Sequence, residues 1–455
     1  MRFAAARRLA WCACLPGLAS ACLPEQQLQL FVQQSYVWRA DARWRIAANR
    51  PWRMHNGYSD MAVQYDHRCR FPNHRLAAEA TLAGVAVYPW HSPGDFAQDN
   101  RRVRLLIPRL NVSWALSDAV SLTAGKLQAP AGLFYLKSPT ALLPGYYAGF
   151  QSSRIYDAAW QETYSESAWG LRLAAESRDY AWSLTATPQL ARIHQRYQAS
   201  GNWPALARSN ASARYLLTYT DYRQRDHTPT VSLRLGDGHV LAVADSFRPA
   251  PQWTLNAALA WHARQQWRHF AGQRARQVAQ GAFPSSLYQR DHRAGIELAL
   301  GGHYTADDFS QSGVEYYFQS EGYSRHQWRR QMRFIDYLHQ RTSSGALASV
   351  MNAYKYLMAA ESDNVANQGN LQGRHYLHGY ATLALRHQLS LRAYSVLNLQ
   401  DSSMMFGLQL SKALTRPGRN LDIYGGIYAT QGGGDTEFGL FGAASGIYSG
   451  LKYYF

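Results

Sequence analysis

The sequence predicts an all-β fold, a transmembrane antiparallel up-and-down β-barrel of about 16–18 strands. Three observations support this fold class. Apolar and polar side chains alternate over segments of roughly ten residues. The connections between these segments alternate between long and short along the chain. Hydrophobic residues make up 47% of the 455 residues, yet no apolar run reaches the roughly 18 residues that a membrane-spanning helix needs. Any membrane crossing must therefore use strands.

The alternation is visible within single segments. In "TPTVSLRLG", Val231, Leu233 and Leu235 alternate with Ser232 and Arg234. Successive side chains of a strand point to opposite faces, so one face of this segment is apolar and the other is polar. The same count along the chain predicts strands near residues 27–38, 57–66, 77–89, 102–116, 119–128, 165–176, 179–188, 213–223, 229–236, 239–246, 253–264, 291–303, 311–321, 374–386, 389–399, 404–414, 420–430 and 444–455.

The connections between the predicted strands define two different ends of the barrel. Short ones, such as "LSD" and "RHQ", alternate with long ones, as in barrels that have short turns at one end and long loops at the other. Two members of the long series are short, at 236–238 and 400–403, so a count of about 16 strands stays possible. The long connections are 90–101, 129–164, 189–212, 265–290, 322–373 and 431–443.

The last segment, "SGIYSGLKYYF", carries an apolar face up to the final residue. Ile447, Leu451, Tyr453 and Phe455 share one face of an extended strand. A strand at a chain end usually frays, unless it pairs with the first strand to close a cylinder. The alternation therefore predicts that this strand closes the barrel. The opposite face carries Tyr448, Gly450, Lys452 and Tyr454.

The first residues resemble a secretory signal, which divides the chain into a signal peptide at 1–21 and a barrel at 22–455. Arg2, Arg7 and Arg8 form a positive start, and a short apolar stretch ends in an A-x-A-like cleavage site at Ala19 to Ala21. Cys22 follows at once, so the site also loosely resembles a lipoprotein box, although Ala19 stands where leucine is usual. The exported chain would keep Cys22 and Cys69, which either form a disulfide or stay free.

The formal net charge of +17 indicates anionic partners. On an exported protein these are lipopolysaccharide headgroups, phosphates, acidic sugars or organic acids. Nucleic acid is excluded as a partner, because the arginines are scattered singly and no basic helix is present.

The long connection near the middle of the chain has helical rather than strand spacing. Within 326–362, Met332, Ile335 and Leu338 recur at helical intervals. The spacing predicts a partly helical outer loop that packs over or into the mouth of the barrel. Leu347, Met351, Tyr354 and Leu357 continue the pattern.

The alternation also predicts which charged side chains face the interior. An arginine on the lipid face costs roughly 2–4 kcal/mol at the membrane midplane, so charged strand residues must point inward. An arginine-rich wall attracts anions, whereas pairing across strands, such as Arg293 with Glu315, would leave the bore weakly selective. The inward cations are Arg109, Arg172, Arg214, Arg234, Arg293, Arg392 and Lys452, and the inward anions are Glu297, Glu315 and Asp422.

These features resemble those of bacterial outer-membrane porins over residues 22–455. Gly450, Tyr453 and Phe455 are similar to the C-terminal signal that the barrel assembly machinery recognises, with Tyr448 at a position where that signal normally has a polar residue. "AGKLQAPAGLF" at 124–134 resembles the strand end that leads into a constriction loop, and "VEYYFQSEGYS" at 314–324 resembles an outer-rim strand.

The resemblance implies a location in the bacterial outer membrane and a third outer loop that folds inward to narrow a pore. In this sequence that loop is 129–164, and its charged residues are Lys137, Arg154, Asp157 and Glu162. Its proline and glycine content permits a fixed irregular path. The resemblance also implies outer-membrane lipid and lipopolysaccharide as surroundings, contact with the assembly machinery and a possible homotrimer.

The expected function is passive diffusion of small hydrophilic solutes, with a preference for anions and without a reaction, a cofactor or a metal. One alternative is a channel that exports or takes up an acidic polysaccharide, and a second is a barrel enzyme or adhesin with a blocked lumen. The sequence contains no G-x-S-x-G or H-E-x-x-H motif. His303, Asp307 and Asp308 lie on a predicted periplasmic turn, the wrong end for an enzyme that acts at the outer rim.

Overall fold

The protein folds as a closed barrel of 18 antiparallel strands, which confirms the predicted fold class. The computed structural model describes residues 23–39, 43–44, 56–71, 75–90, 102–127, 132–143, 167–193, 203–366, 368–416, 419–440 and 444–455. The predicted signal peptide at 1–21 lies outside these residues and stays a prediction.

Each predicted strand has a counterpart in the barrel. A short two-stranded ribbon, β12 and β13, lies outside the barrel sheet. The barrel strands are β1 (Leu23–Arg39), β2 (Asn56–Arg70), β3 (Leu76–Pro89), β4 (Arg102–Ala115), β5 (Val120–Leu127), β6 (Ala168–Glu176), β7 (Tyr180–Thr187), β8 (Arg214–Asp221), β9 (Thr230–Gly236), β10 (Val240–Ala250), β11 (Trp253–His262), β14 (Gly295–Thr305), β15 (Gln311–Gln319), β16 (His375–Leu385), β17 (Leu389–Asn398), β18 (Met404–Arg416), β19 (Arg419–Gln431) and β20 (Ala444–Tyr454), and the ribbon strands are β12 (His269–Phe270) and β13 (Tyr288–Gln289).

The last strand closes the barrel against the first. β20 pairs antiparallel with β1, from Gln29 opposite Tyr454 to Arg39 opposite Ala444, and it also pairs with β19. Every other neighbour in the ring is adjacent in sequence, apart from β11 and β14, which flank the ribbon. Closure leaves no unpaired sheet edge, which a hydrocarbon environment would not tolerate.

The two faces of the wall differ as the alternation predicts. On β20, Ile447 is 48% exposed on the outer face, whereas the adjacent Tyr448 is 5% exposed on the inner face. Outward leucine, valine and isoleucine side chains continue around the ring, for example Leu241, Leu259 and Leu300. This outer belt is the surface that a β-barrel presents to lipid.

Tyrosine rings cover glycines on part of the inner wall. A Cβ added to Gly450 would overlap the ring of Tyr424, and one added to Gly426 would overlap Tyr448. Tyr428 covers Gly446 in the same way. The glycines leave room for rings to lie flat on the sheet, which fills the interior next to the closing strand without widening the barrel.

Two long connections form a cap, defined here as the described residues of 263–294 and 320–374. The cap contains the ribbon and three helices that share one hydrophobic core, in which Met332, Ile335 and Leu338 are buried as the spacing predicts. Ser324 begins α3 with a capping box, since its hydroxyl accepts from the Gln327 amide and the Gln327 side chain accepts from the Ser324 amide. The α-helices among the described residues are α1 (Ala205–Ser209), α2 (Gly272–Ala279), α3 (Arg325–Leu338) and α4 (Gly345–Ala366).

Two further features of the described residues bear on the membrane and on the cysteines. None of their helices combines the length and apolar character that a membrane crossing requires. Cys69 is disulfide-bonded, and its partner lies outside the described residues. The sequence alone left this cysteine either bonded or free.

Candidate functional site

The candidate site is the barrel interior, which is crossed by residues 132–143, here called the inward segment. This segment lies in the connection between β5 and β6, and it contacts strands farther around the ring, from β9 to β16, and two other long connections. Glu315 of β15 holds it most directly, because the two carboxylate oxygens accept hydrogen bonds from the backbone amides of Tyr135 at 2.8 Å and Leu136 at 2.9 Å. His378 Nδ1 donates to the same carboxylate at 3.0 Å.

Two further hydrogen bonds fix the ends of the inward segment. Arg234 Nη1 of β9 donates to the carbonyl oxygen of Leu142 at 3.0 Å. Asn256 Nδ2 of β11 donates to the carbonyl oxygen of Leu133 at 3.1 Å. A segment without regular structure thus places its backbone groups on polar side chains of the wall, as buried backbone groups require.

Apolar contacts add to these bonds. Phe134 is buried in an interior cluster with Tyr317, Tyr376 and Val396 of the wall. Phe438, from the connection between β19 and β20, belongs to the same cluster. The inward segment is therefore packed against the wall and against a second long connection.

Lys137 links the inward segment to both the wall and the cap. Its ammonium lies 3.9 Å from Glu297 Oε1 and 5.8 Å from the centre of the Tyr317 ring, and it donates to Asn370 Oδ1 of the cap. His262 Nε2 lies 3.3 Å from the same Glu297 oxygen. The two inward carboxylates of β14 and β15 are therefore both occupied by cationic or hydrogen-bond donating groups.

Three of the sequence-predicted arginines lie on consecutive parts of one wall. Arg172 of β6 faces inward and donates from Nε to Thr185 Oγ1 at 3.1 Å. Arg214 of β8 lies 3.7 Å from Asp237. The pairing register places four residues in one row across four strands: Arg172, Thr185, Leu216 and Arg234. Three strand spacings therefore separate the Cα atoms of Arg172 and Arg234, a distance of about 14 Å.

The remaining predicted inward residues lie elsewhere around the ring. Arg109 donates to Glu79 at 3.2 Å. Arg392 lies on the inner face of β17, in step with Tyr394 and Val396. Lys452 is buried 5.7 Å above the rings of Phe31 and Tyr424, and Asp422 lies opposite it in the register.

Arg293 is a correction to the prediction. β14 begins at Gly295, so Arg293 belongs to the preceding connection, where its side chain is 83% exposed and lies 3.3 Å from Asp291. The suggested pair of Arg293 with Glu315 is therefore wrong, because Glu315 binds the inward segment and His378. Arg154, Asp157 and Glu162 lie outside the described residues.

Some inward residues escaped the sequence analysis although alternation could have found them. Glu79 of β3 lies between Arg68 and Arg109. Asp66 of β2 accepts from Thr81 Oγ1 at 2.6 Å and from Gln64 Nε2 at 2.8 Å. Both carboxylates lie within predicted strands, and they make the wall more balanced in charge than an arginine-rich bore.

A half-open polar cavity of about 590 Å³ lies beside these residues. Gln29, Gln64, Asp66, Arg68, Thr81 and Arg109 contribute to its lining. Beside the cavity, the backbone N–H of Phe455 donates to the carbonyl oxygen of Leu28 at 2.9 Å. The Phe455 ring packs edge-on against the Tyr453 ring, with 4.5 Å between the ring centroids. Within the described residues, no group of three or more histidine, cysteine, aspartate or glutamate side chains could hold a metal ion.

His303, Asp307 and Asp308 lie at the short-turn end of β14. His303 Nδ1 pairs with the Tyr380 hydroxyl at 2.9 Å, and Asp308 accepts from the Ser310 amide at 2.9 Å. The Asp308 contact is local to the turn, and the His303 contact joins β14 to β16.

Comparison with known proteins supports the fold. No protein-family model matches the chain, and no curated protein does. Three solved structures from Pseudomonas aeruginosa are similar, each with a TM-score of 0.50. OccK5 (OpdH) is 10% identical, with 94% of this chain and 98% of that chain covered. OpdQ is 8% identical, with 95% and 98% covered, and OccK11 (OpdR) is 13% identical, with 94% and 95% covered.

At these identities the similarity concerns the fold. A closed ring of strands with an apolar exterior and a polar, charged interior is the architecture of a transmembrane barrel. The chain therefore has the fold of a bacterial outer-membrane porin-like β-barrel, and its location is the bacterial outer membrane.

Proposed function

We propose that the protein is an outer-membrane channel through which small hydrophilic solutes diffuse passively, without a chemical step. The observation that carries this proposal is the inward segment, which Glu315, Arg234 and Asn256 hold against the wall inside a closed barrel. A segment fixed in this way narrows the lumen and makes its width a property of the fold. Selection would then depend on width and on fixed charge.

We also propose a preference for anions. Glu315 is bound by two backbone amides and His378, and Glu297 lies beside Lys137 and His262, so the fields of both carboxylates are largely offset. Arg172 lies on the inner wall and donates from Nε to the Thr185 hydroxyl, and an arginine on a lumen wall attracts anions. The preference is modest, since Asp66 of β2 and Glu79 of β3 also lie on the inner wall.

The test is conduction through a planar lipid bilayer. We expect steady open steps and, under a KCl gradient, a reversal potential that favours chloride. Arg172→Gln should move this potential toward potassium. Lys412→Gln is the matched control, because Lys412 lies opposite the outward Ile423 and its loss removes the same charge from outside the bore.

Each outcome addresses a separate part of the proposal. Open steps without selectivity would leave the channel and remove the anion preference. No conductance at all would favour a plugged barrel with an adhesive, enzymatic or partner-gated role. The homotrimer, the contact with the barrel assembly machinery and the passage of an acidic polysaccharide stay predictions.

A further inference from the structure

The exposed face of helix α3 carries a row of arginines. Its other face is buried in the cap core through Trp328, Met332 and Ile335. Arg325, Arg329, Arg330 and Arg333 are all exposed. At 3.6 residues per turn, Arg325, Arg329 and Arg333 follow one another along a single stripe, with successive Cβ atoms about 6 Å apart and the outer two about 12 Å apart.

These arginines have no acidic partner in the part of the chain that the structure describes. No ion pair joins Arg325, Arg329, Arg330 or Arg333 to a carboxylate among the described residues. The single acid of α3, Asp336, is already bound by Arg43, whose Nε donates to Oδ1 at 2.9 Å.

The stripe opposes the stability of its own helix. Like charges at i and i+4 destabilise a helix by a few tenths of a kcal/mol for each pair, and this helix has two such pairs in succession. The cap core holds the helix in place regardless. An arrangement that is unfavourable alone and rigidly held becomes favourable when an anion with several charges binds across it.

The helix lies across the mouth of the barrel. Only five residues separate its start at Arg325 from the end of β15 at Gln319, yet Trp328 Nε1 donates at 2.6 Å to the carbonyl of Asp435, between β19 and β20. Asp336 binds Arg43, between β1 and β2. The helix therefore joins β15 to strands several positions farther around the ring, so the arginine stripe lies where solutes would enter.

We propose that Arg325, Arg329 and Arg333 form an entry site for small solutes that carry two or more oxyanion groups about 6 Å apart. Guanidinium groups bind phosphate and carboxylate oxygens in a bidentate manner, and a linear polyanion can bridge successive arginines. The site concentrates such solutes at the mouth. This inference rests on the proposed channel for its purpose, although the binding itself does not require conduction.

The experiment measures binding of inorganic tripolyphosphate to the full-length protein in detergent by titration calorimetry. We expect tripolyphosphate to bind about tenfold more tightly than inorganic monophosphate. The triple variant Arg325→Gln, Arg329→Gln, Arg333→Gln should weaken tripolyphosphate binding by about tenfold or more. This variant removes repulsion within the helix and should fold normally, which circular dichroism checks.

A second triple variant serves as the charge-matched control. Arg264→Gln, Arg276→Gln and Arg341→Gln remove three exposed cap arginines that do not belong to the stripe, and binding should stay within about twofold of the unchanged protein. Equal losses in both variants, or equal binding of monophosphate and tripolyphosphate, would overturn the entry site. Bilayer conductance of the unchanged protein tests the channel separately, so each proposal can fail without the other.

Discussion

At the residue scale, Gly450 in the closing strand has two separate reasons to be glycine. The sequence predicts that Gly450 belongs to an assembly signal, a role that stays a prediction. The structure supplies an independent physical reason for glycine, because Tyr424 lies where a Cβ would be. Alternation revealed the face of Gly450, whereas its contact with Tyr424 depends on register between strands, which sequence patterns do not fix.

We expect Gly450→Ala to destabilise the folded barrel by about 1–3 kcal/mol, since the Tyr424 ring must leave its position on the wall. Gly425→Ala is the control, because an added Cβ there meets its nearest atom, the Tyr448 carbonyl oxygen, at an ordinary 3.6 Å. Urea unfolding of protein refolded in detergent measures both changes without the cellular assembly step. Equal midpoints for the two variants would contradict the packing argument.

The inward position of Glu315 was predictable from the sequence, whereas its binding partners were not. Alternation predicts that it faces inward, and it does. Its partners come from Tyr135 and Leu136, about 180 residues away, in a segment without periodicity. The same holds for Arg234, which is predicted as a lumen charge and is buried beneath Leu142. Irregular segments carry no repeating signal from which such contacts could be predicted.

We expect Glu315→Gln to loosen the inward segment. An amide offers one acceptor oxygen in place of two, so one backbone amide of the segment loses its partner at a cost of about 1–3 kcal/mol. Single-channel recordings should show a larger or noisier conductance. Glu79→Gln removes the same charge from the opposite wall and should leave the step size unchanged. If both variants conduct alike, Glu315 does not position the segment.

At the element scale, the cap was the most predictable part of the long connections. Helical spacing over 326–362 predicts a partly helical outer loop and its apolar positions, because amphipathic periodicity is a local property. The ribbon of β12 and β13 and the contacts of α3 with residues near β1 and β20 were not predicted. They depend on which loops meet above the mouth, and only closure of the barrel decides this.

His269 in the ribbon gives the cap a pH dependence. Its ring is stacked on Trp267 at 4.1 Å, its Nε2 bonds the carbonyl of Glu321, and burial lowers the pKa of His269. A lowered pKa means that the neutral form is favoured in the folded cap. The corresponding stability is present above the ordinary histidine value of about 6.5 and is lost as the pH falls through the folded value.

We therefore measure amide hydrogen exchange in α3, corrected for intrinsic rates, at about pH 5 and about pH 7.5. The acceleration at the lower pH should be larger in the unchanged protein than in His269→Gln. The comparison with this variant removes the contribution of Glu321, whose pKa burial raises and whose effect on stability has the opposite sign. His292→Gln, an exposed histidine of the same connection, should behave as the unchanged protein. An identical pH response in all three proteins would contradict the assignment.

At the scale of the whole molecule, the strand count and the alternating ends were predictable because every barrel strand repeats the same two-residue pattern. The two short connections among the long ones are real features, since β9 and β10 are joined by residues 237–239 and β17 and β18 by 399–403.

The depth of the barrel in the membrane is a further global property. Along β18, the outward side chains Phe406, Leu408 and Leu410 are apolar, and Lys412 follows toward the short-turn end.

The position of Lys412 indicates where the apolar belt ends, because a lysine side chain reaches water only near the membrane interface. We expect Leu408→Arg, near the middle of the strand, to cost about 2–4 kcal/mol, and Leu414→Arg, two residues beyond Lys412, to cost about 0–1 kcal/mol. Both replacements put the same charge on the same face of one strand, so the difference reports depth alone. Reversible unfolding from phospholipid vesicles measures it. Similar costs at the two positions would mean that the belt extends past Lys412, and that the lysine lies in the hydrocarbon region rather than at its edge.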